Sequence, residues 1–256
     1  MFTYTNFQKK VSLVLKVIVA IAAVLGTFLS AFAGRNSFMG GTTVFMYFTI
    51  QSNILIALVS LVGILFLLRG KSGKVWYTLT FVATVAITLT GVVFCFVLAP
   101  TMGKAAWNVQ NILTHVVTPV VSVLDFFVCG PSGKIRKKNA FLVIIPPILY
   151  LIYASVGYVK GWEFGPGINY PYFFLNWGSP MGAFGFGKEF PFMGCVWWIL
   201  LLLVSFPVVG FLYLIIVDFL RLFRKKTREE KLEAELKEKE EELESKETES
   251  EVSEEV

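Results

Sequence analysis

Apolar residues run through this chain in six long blocks, at about 11–33, 44–68, 75–99, 111–129, 140–157 and 193–220. Each block is long enough to cross ~30 Å of hydrocarbon as a helix. Hydrocarbon offers the backbone no water, so a spanning run must satisfy its own hydrogen bonds and is predicted to be helical. The expected fold is an all-α membrane protein of six transmembrane helices. No small-residue cleavage pattern follows the first block, which reads as a retained helix. The six-helix domain is expected over residues 1–223, with 224–256 as a charged cytoplasmic tail, flexible or helical.

Between the blocks, Lys and Arg alternate in number. Starting from the N-terminus, every second segment is rich: Lys9 and Lys10; Arg69, Lys71 and Lys74; Lys134, Arg136, Lys137 and Lys138; Arg221, Arg224, Lys225, Lys226 and Arg228. The segments between them hold Arg35, then Lys104, then Lys160 and Lys188. Fourteen basic residues stand against four, with no segment out of phase. By the positive-inside rule both termini are cytoplasmic, and a missed or false helix would have broken the alternation. The expected location is the cell membrane, as a multi-pass protein.

Composition agrees. Of 256 residues 55% are hydrophobic, and 14 of the 18 acidic residues lie beyond Thr227. The net charge of +5 comes from basic residues that flank apolar blocks, so it reports topology and implies no nucleic-acid partner. Membrane lipids are the expected partners; the oligomeric state stays open. The tail, KLEAELKEKEEELESKETESEVSEEV, carries Glu–Lys pairs at helical spacing but too little leucine for a coiled coil. Cys95, Cys129 and Cys195 lack metal-ligand spacing, so no metal or other cofactor is expected. Cys95 and Cys195 fall towards the same face, which leaves two readings: a disulfide, or small residues buried in helix packing.

The longest connection, 158–192, is expected outside, and its Gly, Pro and aromatic residues make it less polar than a soluble loop. It reads equally as an interfacial aromatic belt and as a lid over a cavity. The helical prolines, Pro119, Pro146, Pro147 and Pro207, lie in the fourth to sixth blocks with no counterpart in the first three. That pattern does not suit the mirrored broken helices of an inverted-repeat transporter.

Polar side chains at depth mark where function concentrates, because each needs a partner or a cavity. The second block contains FTIQSNILIAL, in which Thr49, Ser52 and Asn53 share a helix face and Gln51 points elsewhere. The fourth contains NILTHVVTPVVSVLDF, where Asn111, His115, Thr118, Ser122 and Asp125 form one continuous stripe. His115 is the only histidine. Topology puts Thr49 ~7 Å and His115 ~6 Å below the outer ends of their blocks, at one level. A hydroxyl and an imidazole so placed suit a nucleophile–base pair, while a histidine that merely bridges helices is the rival reading. Pro119 removes the N–H that would bond the His115 carbonyl, so a kink and a freed acceptor are expected there. Asp125 lies ~15 Å further along the helix, too far to orient the imidazole, and is expected to pair with the 134–138 loop or to cap helices. There is no GxSxG, no HExxH and no phosphate-binding glycine loop.

These residues resemble the androgen-induced protein family. The resemblance rests on six helices with both ends inside, FTIQSN with Thr49, LTHVVTPVVSVLDF with His115, and YPYFFLNWGSP (170–180), similar to a YPYPFLD-like stretch of bacterial members. It covers about residues 10–220, and Asn176 departs from it where an acid is expected. Characterised animal members are intramembrane threonine hydrolases of fatty acid esters of hydroxy fatty acids. The resemblance implies Thr49 as nucleophile and His115 as general base acting on a lipid ester. Asn53 or Asn111 would bind the oxyanion, with Gln51 and Ser52 as further substrate-side candidates. The competing expectation is a non-catalytic membrane protein, a lipid or small-molecule carrier or a scaffold, whose polar stripe only packs helices.

Overall fold

The computed structural model describes residues 5–33, 41–70, 73–128 and 135–254. Arg35, Lys71, Cys129 and Lys134, which entered the charge and cysteine readings, lie outside the described residues. Among the described residues there are six helices long and apolar enough to cross a membrane, and no strand. They are α1 (Asn6–Ala33), α2 (Phe48–Arg69), α3 (Lys74–Ala106), α4 (Val109–Val128), α5 (Lys137–Val159) and α6 (Cys195–Glu254). The architecture is compatible with a multi-pass membrane protein. Its burial pattern agrees, with large apolar side chains such as Leu58, Leu65, Ile152 and Val204 exposed while Ser52, Asn53, Thr114 and His115 are buried.

α2 starts later than its apolar run. Residues Gly41–Met46 form a 3-10 turn, and Tyr47 stands between the turn and the helix in extended conformation. Tyr47 is fully buried, and its hydroxyl donates to the Phe164 carbonyl at 2.8 Å, a tertiary contact that holds the chain out of the helix. Thr49 therefore lies in the first turn of α2, shallower than the ~7 Å expected from the sequence. α3 runs past residue 99 to Ala106 through a π-helical segment, Phe94–Leu98, and a closing 3-10 turn. α5 opens as a 3-10 turn, Lys137–Ile144, just ahead of Pro146 and Pro147, whose missing N–H groups suit the start of the α-helical part.

Helices α1 to α4 pack as a closed ring in chain order, each against the next and α4 back against α1. Two glycines let the ring close around α4. A Cβ on Gly26 of α1 would meet Thr114 Cγ2 at 2.7 Å, and one on Gly91 of α3 would meet the His115 carbonyl oxygen at 2.8 Å. α5 lies outside the ring, with its first turns on α3. There Gly210 of α6 lets the helix come close, since an added Cβ would meet the Ala140 carbonyl oxygen at 3.3 Å and the Phe81 ring at 3.4 Å. Towards the other end of α5 and α6, a cavity opens between α2, α3, α5 and α6.

The chain divides into two compact units, Met1–Leu212 and Tyr213–Val256. Within the second, Lys225–Glu229 and Lys226–Glu230 pair at i,i+4 with N–O distances of 3.3 and 3.8 Å. These pairs precede the segment from Lys231 in which the composition suggested them, and the helix continues to Glu254. Asp218 and Arg221 are 3.8 Å apart. Cys95 and Cys195 are both free thiols, so the disulfide reading is set aside in favour of packing.

Candidate active site

Two irregular turns face each other at the centre of the site. In α4 the segment Leu113–Val117 is π-helical, and Thr118 N–H bonds back to the Leu113 carbonyl. In α3 the π segment begins at Phe94. The Phe94 ring stacks on the His115 imidazole, with centroids 3.8 Å apart and planes at 21°. Single π turns of this kind recur at functional sites because they re-aim a few side chains without breaking the helix. The His115 carbonyl, which Pro119 deprives of a helix partner, packs against Gly91, where an added Cβ would meet its oxygen at 2.8 Å.

His115 Nε2 lies 3.2 Å from Thr49 Oγ1. Its other nitrogen, Nδ1, is 3.1 Å from the Asn111 carbonyl and 2.9 Å from Thr114 Oγ1. The carbonyl can only accept. The Thr114 hydroxyl already donates to the Gln110 carbonyl at 2.8 Å, so towards His115 it too accepts. Both neighbours of Nδ1 therefore require the proton on that nitrogen, which leaves a lone pair on Nε2 facing the Thr49 hydroxyl. A backbone carbonyl and a threonine here do the orienting that a carboxylate does in a conventional triad. The arrangement can remove the Thr49 proton and return it.

The other sequence candidates have different duties. Asn53 Nδ2 donates to the Thr49 carbonyl at 2.8 Å and to the Thr114 carbonyl at 3.1 Å, while its Oδ1 is buried without a partner. It ties the first turn of α2 to the π turn of α4, and neither amide hydrogen is aimed at Thr49 Oγ1. Ser52 Oγ donates to the Thr49 carbonyl and lies 2.9 Å from Thr90 Oγ1, which joins α2 to α3. Asn111 Nδ2 donates to the Ala106 carbonyl, closing the α3–α4 turn, and Gln51 Nε2 donates to the Phe45 carbonyl away from the site. Asn53 is thus placed as a positioning group, because both its amide hydrogens go to backbone carbonyls, and the one amide bond of Asn111 runs to the Ala106 carbonyl and not to Thr49.

Three features escaped the sequence reading. Among the described residues, Asp125 finds its partners on α1 rather than in the loop before α5. It accepts from Ser12 Oγ and forms an ion pair with Lys16, both on α1. Lys16 interrupts an otherwise apolar run, and an intramembrane lysine is itself a signal that some other helix must supply a carboxylate. The second is Phe94, whose partner only the π turns define. The third is Tyr172, from the 158–192 connection. Its hydroxyl lies 3.3 Å from the Thr49 backbone nitrogen and 3.4 Å from Thr49 Oγ1. No periodicity governs an irregular loop, so helix period gave Tyr172 no role, although the YPYFFLNWGSP stretch that carries part of the resemblance contains it.

A cavity open on one side adjoins Thr49. Thr49, Thr90, Tyr150 and Tyr172 are its only residues with polar side chains; the remaining walls are apolar, among them Phe48, Leu151, Leu202 and Phe206. His115 lies behind Thr49 and is not part of the lining. Phe174 and Leu175 of the long connection form part of the wall, so that segment is built into the cavity. In comparisons with known proteins, no family model matches the chain, nor does any curated protein or solved structure.

Proposed function

We propose that the protein is an integral membrane hydrolase that cleaves fatty-acyl esters through a threonine nucleophile. The observation that carries this reading is the 3.2 Å contact between His115 Nε2 and Thr49 Oγ1 at the wall of an apolar cavity. Neutral imidazole, held as the Nδ1–H tautomer, accepts the Thr49 proton as Oγ1 attacks the acyl carbon. The tetrahedral adduct collapses, the ester C–O bond breaks, and His115 gives the proton to the departing alcohol. Water then enters and attacks the acyl carbon as it gives a proton to His115, and His115 returns that proton to Thr49 Oγ1 as the bond to the fatty acid breaks.

The cavity supplies the substrate class. No charged side chain lines it, so it accommodates an uncharged acyl chain and would leave a charged headgroup unpaired. By the charge alternation along the chain, the Thr49 end of the bundle faces outwards and the tail is cytoplasmic. The ester then enters from the outer leaflet of the cell membrane. This is also the activity that the resemblance to the androgen-induced protein family implies.

The test is labelling of the purified, detergent-solubilised protein with a fluorophosphonate probe, beside the Thr49→Ala and His115→Ala variants. Labelling lost in both variants is the expected result. Labelling absent from the unaltered protein, or persisting in Thr49→Ala, overturns the reading and leaves a non-catalytic carrier or scaffold.

A further inference from the structure

A threonine hydrolase needs donors aimed at the acyl oxygen as well as a nucleophile and a base, and none of the four amide and hydroxyl candidates supplies one. Asn53 and Ser52 spend their hydrogens on backbone carbonyls, and Asn111 and Gln51 each donate to a backbone carbonyl, of Ala106 and Phe45, rather than to Thr49. Two donors remain beside Thr49 Oγ1. One is the backbone N–H of Thr49 itself. Lying in the first turn of α2, it has no carbonyl from a preceding helical turn to bond, and its partner is the phenol oxygen of Tyr172 at 3.3 Å. The other is the Tyr172 hydroxyl. With the Thr49 hydroxyl proton directed to His115, Oγ1 is free to accept the phenol proton of Tyr172, whose oxygen lies 3.4 Å away.

Tyr172 is held there by rings. Its side chain stacks on Phe174 at 4.9 Å and meets the Tyr47 ring edge-on at 5.6 Å, with Tyr150 at 6.2 Å. Burial raises its phenol above the ordinary tyrosine value, so it remains a donor at neutral pH.

Resting on the hydrolase reading above, we infer that the Tyr172 hydroxyl and the Thr49 backbone N–H together form the oxyanion site. As the Thr49 Oγ1–carbon bond forms, the carbonyl π pair moves onto the acyl oxygen and the hydroxyl proton moves to His115 Nε2. The N–H that now donates to the phenol turns to the acyl oxygen, and the phenol proton turns from Oγ1 to the same atom. When the pair returns to re-form the carbonyl, the alcohol leaves with the proton from His115. No co-reactant is needed. Tyr172 is then a catalytic residue contributed by the long connection, which makes that segment part of the chemistry.

The experiment compares Tyr172→Phe with the unaltered protein and Thr49→Ala on p-nitrophenyl octanoate and its thiono analogue. Sulfur is a poor hydrogen-bond acceptor, so an oxyanion site favours the oxo ester. Loss of one oxyanion donor is expected to lower kcat on the oxo ester by ~10²–10³-fold, with KM changed little. The preference for oxo over thiono ester should shrink in the same variant. A uniform fall on both esters, as misfolding or lost packing would give, overturns the inference. So does unchanged kcat in Tyr172→Phe where Thr49→Ala is inactive, an outcome that leaves the threonine hydrolase intact. If the unaltered protein is no more active than Thr49→Ala, the hydrolase reading and the inference fall together.

Discussion

The carbonyl oxygen of His115 rests against Gly91, where an added Cβ would come within 2.8 Å of it and within 3.0 Å of Pro119 Cγ. The obstacle is backbone, which cannot rotate aside as a side chain would. Gly91→Ala is therefore expected to force α3 away from the π turn of α4 and to shift the imidazole that Phe94 stacks upon. The expected outcome is a loss of ~1–3 kcal/mol, typical of overpacking a close interface. A lowered thermal unfolding midpoint and a reduced rate of probe labelling at Thr49 would check it.

Asn53 bridges the turns that carry the two reactive side chains, through the Thr49 and Thr114 carbonyls. Asn53→Ala leaves those carbonyls short of a buried donor, at a cost of ~1–3 kcal/mol. Activity should fall because the Thr49–His115 distance is no longer fixed. As a positioning residue, however, Asn53 should leave the preference for oxo over thiono ester unchanged. A reduced preference would return it to the oxyanion role.

Lys16 and Asp125 form an ion pair between α1 and α4, with side chains 14% and 10% exposed. Gly63 on α2 leaves the room through which the lysine stem passes, since a Cβ there would meet Lys16 Cε at 3.2 Å. Lys16→Met strands a buried carboxylate and should cost ~3–5 kcal/mol, while Lys16→Met with Asp125→Leu should recover most of it. Thermal unfolding of the single and double variants in the same detergent measures the difference. Additive losses would mean that the two side chains do not act as a pair.

Leu202 faces the cavity from α6. Leu202→Trp fills space that an acyl chain would take, so kcat/KM for a hexadecanoyl ester should fall at least ~10-fold. An acetyl ester of the same alcohol should be affected much less, because it leaves that space empty. Equal losses on both esters would place the acyl chain elsewhere.

Several parts of this arrangement were legible in the chain because they depend on local chemistry. Hydrocarbon forces apolar runs to be helices, so six such runs read directly as six spans. The period of the helix put Asn111, His115, Thr118, Ser122 and Asp125 on one side of α4; all but the half-buried Asn111 are buried. Span order then placed Thr49 and His115 at neighbouring levels. Even the error in the start of α2 has a physical source, because Tyr47 leaves the helix through a bond to a carbonyl 117 residues away.

What the sequence determined by itself, then, is the set of apolar helices long enough to cross a membrane and the polar faces they turn inwards, since both follow from period and solvent. Which hydrogen each polar group spends, and on whom, was decided only by the tertiary structure. Asn53 looks like a free donor along the chain, but the packing of α2 against α4 turns it to the Thr114 carbonyl as well as to that of Thr49. Lys16 finds Asp125 across 109 residues, and the ring-packed loop brings Tyr172 to Thr49 across 123. Pairings at such separations leave no periodic trace, because the forces that set them act only once the helices have met.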